Sequence, residues 1–516
     1  MSRKRIRYSS PVLVVAAAAG ALLLSSPAAA DPHAVTPPKL PGVAGLPGPL
    51  AAASTPAPNV KLLNVTPASG PIGTKFTVTG EGLPASKSFD LVWGTANVRY
   101  VLNPLPDNVE YRGRQFDRVN VVIGHAQSDS AGKLSAELTA PEDYGDVHDL
   151  YAVSGGVQLA KAGFQITRTF SISPASGPIG TPLTIKVTGL GSLPYTSTAA
   201  VLYDNGYAGL VSATTTRGTA VATIRASGPV GTHALEIAPA SAGVPYLDIE
   251  QSAVAFVGKY RTTFRVTEDT GPPRARVELP PPVQATEASR TTLTASTAAG
   301  VAADLSSESG IVLSKVQVKA SGLSANTPVL LQWLTAAGTR ATSSGWTIQA
   351  IPLGQATAAA DGSLTATIQV PDALGGWHTI QLLQGGTVKA QLPYHVLHSF
   401  VSISPQTVKA GDVFSIHLKG IGWTELDNTM AVTYDNKYIG YACGFYSNGD
   451  INMNLVATGG PGTHLIDLYP TIYRGKVPAA DTWLEHLPFL DFLQDAPGLA
   501  LGYRVPAYHL AIRVVT

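Results

Sequence analysis

"YDNGYAG" at residues 203–209 and "YDNKYIG" at 434–440 decide how this chain is read. Either heptapeptide alone marks a tight turn, since Asp-Asn between flanking Tyr, Val and Leu suits the positive φ angles of a hairpin loop. Together they mark a repeat with an offset of 231 residues, from Tyr203 to Tyr434. At that offset Ile172 meets Ile403, Pro174 meets Pro405, Gly180 meets Gly411, Gly189 meets Gly420, Gly231 meets Gly462 and His233 meets His464, with no gap. Earlier in each half, Gly82-Leu83 and Trp93 match Gly322-Leu323 and Trp333. Then Gly132, Leu134, Pro141, Gly145 and His148 match Gly362, Leu364, Pro371, Gly375 and His378, with one loop shorter by ten residues (offset 240, then 230). The hairpin recurs because a two-domain unit recurs, giving an A–B–A′–B′ order.

Within each unit the apolar period is two: "KFTVTG" at 75–80, "LTIKVTG" at 183–189, "KVQVKASG" at 315–322 and "VFSIHLKG" at 413–420. This is the pattern of half-buried strands. Short strands punctuated by Gly, Pro and Asn, with no helical period between them, predict an all-β chain of four tandem β-sandwiches. The expected domains are 60–167, 168–269, 304–397 and 398–516. Pro/Ala-rich and Pro/Thr/Ala-rich linkers are expected at 31–59 and 270–303.

A chain of 516 residues is too long for one core. Charged residues make up 13% and the net charge is +1, a balance with no electrostatic footprint for nucleic acid or an anionic membrane. The first thirty residues read as a signal peptide of bacterial type: Arg3, Lys4, Arg5 and Arg7, an apolar run from Val12 to Leu24, and a small-residue site at Ala28–Ala30. Cleavage after Ala30 is expected, with a secreted or cell-surface-associated product and no membrane span. The single cysteine, Cys443, rules out an internal disulfide framework; it aligns with Ser212, which predicts a small buried side chain.

The stretch "TPASGPIGTKFTVTGEGLP" at 66–84, echoed by "SPASGPIGTPLTIKVTGLGSLP" at 173–194, resembles the opening of IPT/TIG immunoglobulin-like domains. Pro67 and Pro174 suit an edge strand, Gly70-Pro71 and Gly177-Pro178 turn the chain, and Gly80 and Gly189 end the next strand. Eight consecutive residues, "PASGPIGT", are common to both copies. The third unit ("SESGIVLSKVQV", 307–318) keeps Ser-Gly, and the fourth ("SPQTVKAGDVFSI", 404–416) keeps Pro405 and Gly411. The resemblance implies immunoglobulin-like sandwiches that serve adhesion, ligand binding or spacing.

Four groups of residues draw a functional reading. Tyr203, Tyr207, Tyr434 and Tyr438, with Asp204 and Asp435, flank the two hairpin turns. They read either as cross-strand packing or as a stacking platform for sugar rings. The acidic loop "PEDYGDVHD" at 141–149 offers Asp143 and Asp146 as oxygen donors for calcium, against the reading of a solvated turn. The recurrent His148, His233, His378 and His464 follow glycine turns and read as rings hydrogen-bonded to loop backbone. The fourth unit alone carries an insertion near 478–500: His464 to Ile512 spans 48 residues against 31 from His233 to Phe264. Its Trp483, Leu484, Leu487, Leu490 and Phe492 read either as a lid over one end of the sandwich or as an exposed docking surface for a partner protein or membrane.

No zinc, nucleophile-elbow or phosphate-loop spacing is present. The expectation is a non-enzymatic extracellular binding or adhesion protein, without a cofactor unless calcium, that engages a polysaccharide or surface protein through two matching surfaces. A structural spacer or assembly subunit is the second class, and a secreted hydrolase the third.

Overall fold

Alternation drives the local structure. Lys75–Gly80 exposes Lys75, Thr77 and Thr79 and buries Phe76, Val78 and Gly80; Pro182–Thr188, Lys315–Ser321 and Val413–Lys419 repeat the pattern. The computed structural model describes residues 44–105, 108–193, 196–241, 243–248, 251, 259–280, 295–339, 345–444, 448–473, 486–495 and 504–516. All of them belong to one unit, Pro37–Thr516. The expected signal peptide, and the expected linker as far as residue 43, lie outside them.

The described residues are all-β apart from one turn of helix, Phe492–Asp495. Strand pairing collects it into successive modules within 55–166, 169–266, 296–396 and 399–515. The second module shows the plan. Pro182–Thr188 lies between Thr169–Ser173 and Ala220–Arg225 in one sheet. Tyr260–Val266, Gly231–Ser241, Thr198–Tyr203 and Gly206–Ser212 follow in that order in the other. The same two pairing orders recur in the other three modules. In the first, Thr55–Thr66 pairs in both sheets and joins them. Each module's core draws on both sheets, as where Phe76 and Val78 pack with Leu91, Trp93, Leu150 and Phe164. Two packed antiparallel sheets with these neighbours form an immunoglobulin-like sandwich.

Parts of both expected linkers are strand. Thr55–Thr66 begins inside the first, and Arg276–Glu278, Ser296–Thr297 and the start of Ala302–Leu305 fall inside the second. Arg276–Glu278 adds to the edge of the fourth module's sheet, against Ala507–His509. A short edge strand needs only free backbone groups on its neighbour, so a Pro-rich composition does not forbid it.

The junction of the first and second modules is rebuilt in the third and fourth. Gly145 N donates to Leu190 O at 2.8 Å and Leu190 N to Gly218 O at 3.0 Å; Gly375 N donates to Ile421 O at 2.9 Å and Ile421 N to Gly449 O at 3.0 Å. Backbone meets backbone here, which leaves no room for side chains. A Cβ on Gly145 would collide with the Gly189 carbonyl, and one on Gly375 with that of Gly420. Gly375→Ala is therefore expected to destabilise by about 2–3 kcal/mol. Gly460→Ala, at a site with open space around it, should be near neutral. Denaturant melts of the two variants check this, and equal effects would contradict the junction.

Candidate functional site

The hairpin residues that suggested a sugar platform are spent on the fold. Asp204-Asn205 and Asp435-Asn436 take positive φ (49° and 62°; 49° and 58°), as a two-residue hairpin turn requires. Asp204 Oδ1 accepts from Ala234 N at 2.9 Å, and Oδ2 meets His233 Nδ1 at 2.6 Å. Asp435 repeats both contacts with Leu465 N and His464 Nδ1. Tyr203 is 1% exposed and donates to Ser227 O; Tyr434 donates to the equivalent Thr458 O. Tyr207 and Tyr438 are half-buried and meet each other edge to face, with centroids 6.3 Å apart, while Lys437 packs over Gly206. Equivalent residues of the two copies thus touch, as across a two-fold axis. Tyr203 therefore has no face to offer a sugar ring, and the two hairpins pack against one another.

The insertion is likewise occupied. Leu490 and Phe492 are buried, Leu487 packs beside them, and Trp483 and Leu484 lie outside the described residues. The segment 486–495 lies along the edge strand of the second module, where Leu210 N donates to Pro488 O and Leu490 N to Leu210 O, both at 2.9 Å. Asp491 accepts from Ser212 N at 3.0 Å. Asp495 accepts from Thr214 N at 3.1 Å, Thr215 N at 2.7 Å and, across from the first module, Tyr100 Oη at 2.5 Å. The exposed docking surface is corrected accordingly: Leu490 and Phe492 seal a contact within the chain and do not face a partner.

Between the second and fourth modules runs a buried ionic chain that sequence reasoning missed. Arg225 lies 2.8 Å from Asp467 and donates to Leu510 O and Ile466 O. His509 meets Asp467 at 2.6 Å through Nδ1 and Glu278 at 3.1 Å through Nε2. Asn436 Nδ2 donates to Arg225 O at 2.6 Å. Burial works to raise the Asp467 carboxyl, but Arg225 and His509 outweigh it and hold it below the usual carboxylate range. The available signal was a lone charge in an apolar strand: Arg225 ends "AVATIR" and Asp467 sits in "HLIDLYP".

The acidic loop divides its two aspartates. Asp143 is fully buried, accepting from Trp93 Nε1 at 2.9 Å and from Arg217 at 2.5 Å, so its charge is already compensated. Arg217 also donates to Ala96 O and Thr95 Oγ1. Among the described residues no three His, Cys, Asp or Glu gather into a group that could hold a metal ion. Asp146 instead lines an open cleft of about 490 Å³ where the first two modules meet, with Phe116, Arg118, Asn120, Asp149 and Tyr151.

The four recurrent histidines hold backbone. His148 lies between Gly94 O and Tyr144 O, and His378 between Leu334 O and Leu374 O. Each stacks on the matching tryptophan, Trp93 or Trp333. Cys443 is half-buried beside Thr429 Oγ1 at 3.2 Å, and burial pushes its thiol up.

No family model matches the chain, and no curated protein does either. The IPT/TIG resemblance therefore stands on its own motif. Solved structures with similar pieces include a Salmonella alpha-2-macroglobulin (11% identity, covering 80% of this chain and 29% of that one, TM-score 0.17). They also include the Escherichia coli adhesin FdeC (13%, 68% and 98%, 0.15) and invasin, a bacterial integrin-binding protein (11%, 88% and 78%, 0.17). The chain spans less than a third of the length of the macroglobulin. At these scores the likeness carries no argument about arrangement, ligand or activity.

Two outcomes are expected. Asp495→Ala leaves the N–H groups of Thr214 and Thr215 without a partner, at about 1–3 kcal/mol each. Limited proteolysis should then cut near 486–495 faster than in the unaltered chain. Burial pushes His378 down to about 4. Its neutral ring therefore contributes stability that is complete above the ordinary value of about 6.5 and is lost as pH falls towards 4, on the order of 3 kcal/mol. His464 acts in the opposite sense, because Asp435 overcomes burial and raises it, so its contribution fades as pH rises. Hydrogen exchange at pH 7 and pH 5 should show the third module loosening first in acid.

Proposed function

We propose that the protein is a secreted, non-catalytic binding protein of the adhesion type, with an extracellular polysaccharide or surface protein as its partner. Its four sandwiches form a duplicated A–B pair, each pair stiffened at its glycine junction. The observation that carries this reading is the clamp between the second and fourth modules, in which Arg225 and Asp467 are buried together and Tyr207 packs edge to face on Tyr438. A body locked in this way holds its exposed loops at fixed separations, which lowers the ordering cost of binding. The leader and the "PASGPIGT" motif support the same reading.

The spacer reading draws less support. A spacer gains reach from modules in a row, whereas here the fourth module lies against the second. The pairs His233–Asp204, His464–Asp435 and His509–Asp467 have the spacing of a general base and its orienting carboxylate. Their second nitrogens, however, meet Pro229 O, Gly460 O and Glu278, which suits fastening rather than catalysis.

The test is saturation binding of the purified chain from Asp31 onward to immobilised extracellular polysaccharides and to cell-surface preparations, with the ligand analysed afterwards. Saturable binding that leaves the ligand intact is expected. Released ligand fragments, or ordered polymerisation without binding, would overturn the reading.

A further inference from the structure

The second and fourth modules end their larger sheets on sister edge strands, Gly206–Ser212 and Lys437–Cys443. Each pairs with its neighbour in the same register and carries the same bulge, between Val201 and Leu202 in one pair and between Val432 and Thr433 in the other. Each holds a glycine at the bulge in a conformation that other residues rarely adopt, Gly209 at φ +155° and Gly440 at φ +146°.

In the second module that geometry has a use. Leu210 N donates to Pro488 O and Leu490 N to Leu210 O, so residues 488–490 run parallel to the strand. Ser212 N donates to Asp491, and a Cβ on Gly209 would strike Pro488 O and the Leu490 side chain. The strand is buried from Ala208 to Ser212.

In the fourth module the same edge stands open. Tyr441 and Cys443 take the places of Leu210 and Ser212, and the alternation of an antiparallel ladder turns their N–H groups to the outer side. Among the described residues neither N–H has a hydrogen-bond partner. A Cβ on Gly440 would meet nothing within 4 Å. Ile439 and Tyr441 are 51% and 50% exposed, although His486 stacks on one face of the Tyr441 ring. An open apolar edge is a template for another strand, and proteins ordinarily blunt it with charge, proline or a covering segment. From Tyr438 to Cys443 this edge carries neither charge nor proline.

We infer that Lys437–Cys443 is a strand-accepting edge that takes an extended peptide segment of a partner protein, laid parallel to it as residues 488–490 are laid on Gly206–Ser212. The seated copy defines the chemistry of the occupant: a backbone carbonyl for Tyr441 N, an N–H two residues later for Tyr441 O, an apolar branched side chain over Gly440 and a carboxylate for Cys443 N. The edge continues the contact between the hairpins, where Lys437 packs over Gly206 and Tyr438 meets Tyr207, so an incoming segment extends a surface already ordered. Backbone hydrogen bonds supply affinity in this mode and alternate side chains supply selection. The chain's own matching segment is held on its second module, so a second copy has none to lend. The inference rests on the binding role proposed above and names a polypeptide as the partner.

The probe is a synthetic peptide with the sequence of residues 486–491, HLPFLD, added to the full chain from Asp31 while amide exchange is followed at Tyr441 and Cys443. Exchange slowed at least tenfold at both positions by saturating peptide is expected, with no effect from the same peptide carrying Leu490→Pro, which lacks the N–H for Tyr441 O. Tyr441→Pro removes the receiving N–H where an edge strand tolerates proline, and Ile439→Lys combined with Tyr441→Lys blunts the edge with charge. Both variants should weaken peptide binding at least tenfold. Unslowed exchange, or binding unchanged in both variants, would overturn the assignment. Concentration-dependent dimerisation that Tyr441→Pro abolishes would also overturn it, by giving the edge to a second copy. Cell-surface binding measured in parallel separates the two claims. If the peptide does not bind and cell-surface binding is equal in Tyr441→Pro and the unaltered chain, the edge assignment fails and the binding role survives; if cell-surface binding is absent from the unaltered chain, the binding role fails.

Discussion

The guanidinium of Arg225 is buried between two modules whose sequences are more than two hundred residues apart, and the structure depends on its being compensated there. A buried charge costs several kcal/mol unless it is paired and hydrogen-bonded. Arg225 meets Asp467 and two carbonyls, all from the fourth module. With the modules apart, both charges would return to water. With the modules together, burial demands the whole set of contacts, from Glu278 through His509 to Asp467 and Arg225. Such a contact favours one docking geometry over its neighbours, because a shift of a few ångströms would strand a charge.

Around that point the chain economises by repetition. The hairpin at 203–209 and its copy at 434–440 meet each other, so one turn sequence serves both sides of the contact. The departures from symmetry are what close it. Asn436 reaches Arg225 O, and the insertion at 486–495 lies along Gly206–Ser212, with Asp495 tying in Tyr100 of the first module. Three modules meet at that carboxylate, so the insertion acts as a strap.

The strands were legible because their signal is local: a period of two in "KFTVTG" or "VFSIHLKG" says which side faces a core, whatever that core touches. The repeat was legible because an offset needs no structure. What lay beyond the sequence was the use of each copy. Tyr207 looks like a stacking residue until its own copy is placed against it, and Leu490 and Phe492 look like an exposed patch until the second module's edge strand is beside them. Arg225, Asp467 and Asp495 gave a weaker sign, each a charge in an apolar neighbourhood of a chain poor in charge, but nothing local named their partners. The cleft at Asp146 was half legible. The acidic loop drew notice for its oxygens, yet only the folded junction separates Asp143, bound to Arg217, from Asp146, which faces Thr196 and the buried Arg168.

The clamp between the second and fourth modules is the claim on which the account turns, and small-angle scattering of the chain from Asp31 onward tests it most directly. The account predicts a folded-back particle, shorter than four sandwiches set end to end, whose profile is the same at low salt and at 1 M salt because enclosed ion pairs are little screened. An extended profile with the length of four modules in a row, or one that lengthens as salt is added, would contradict it.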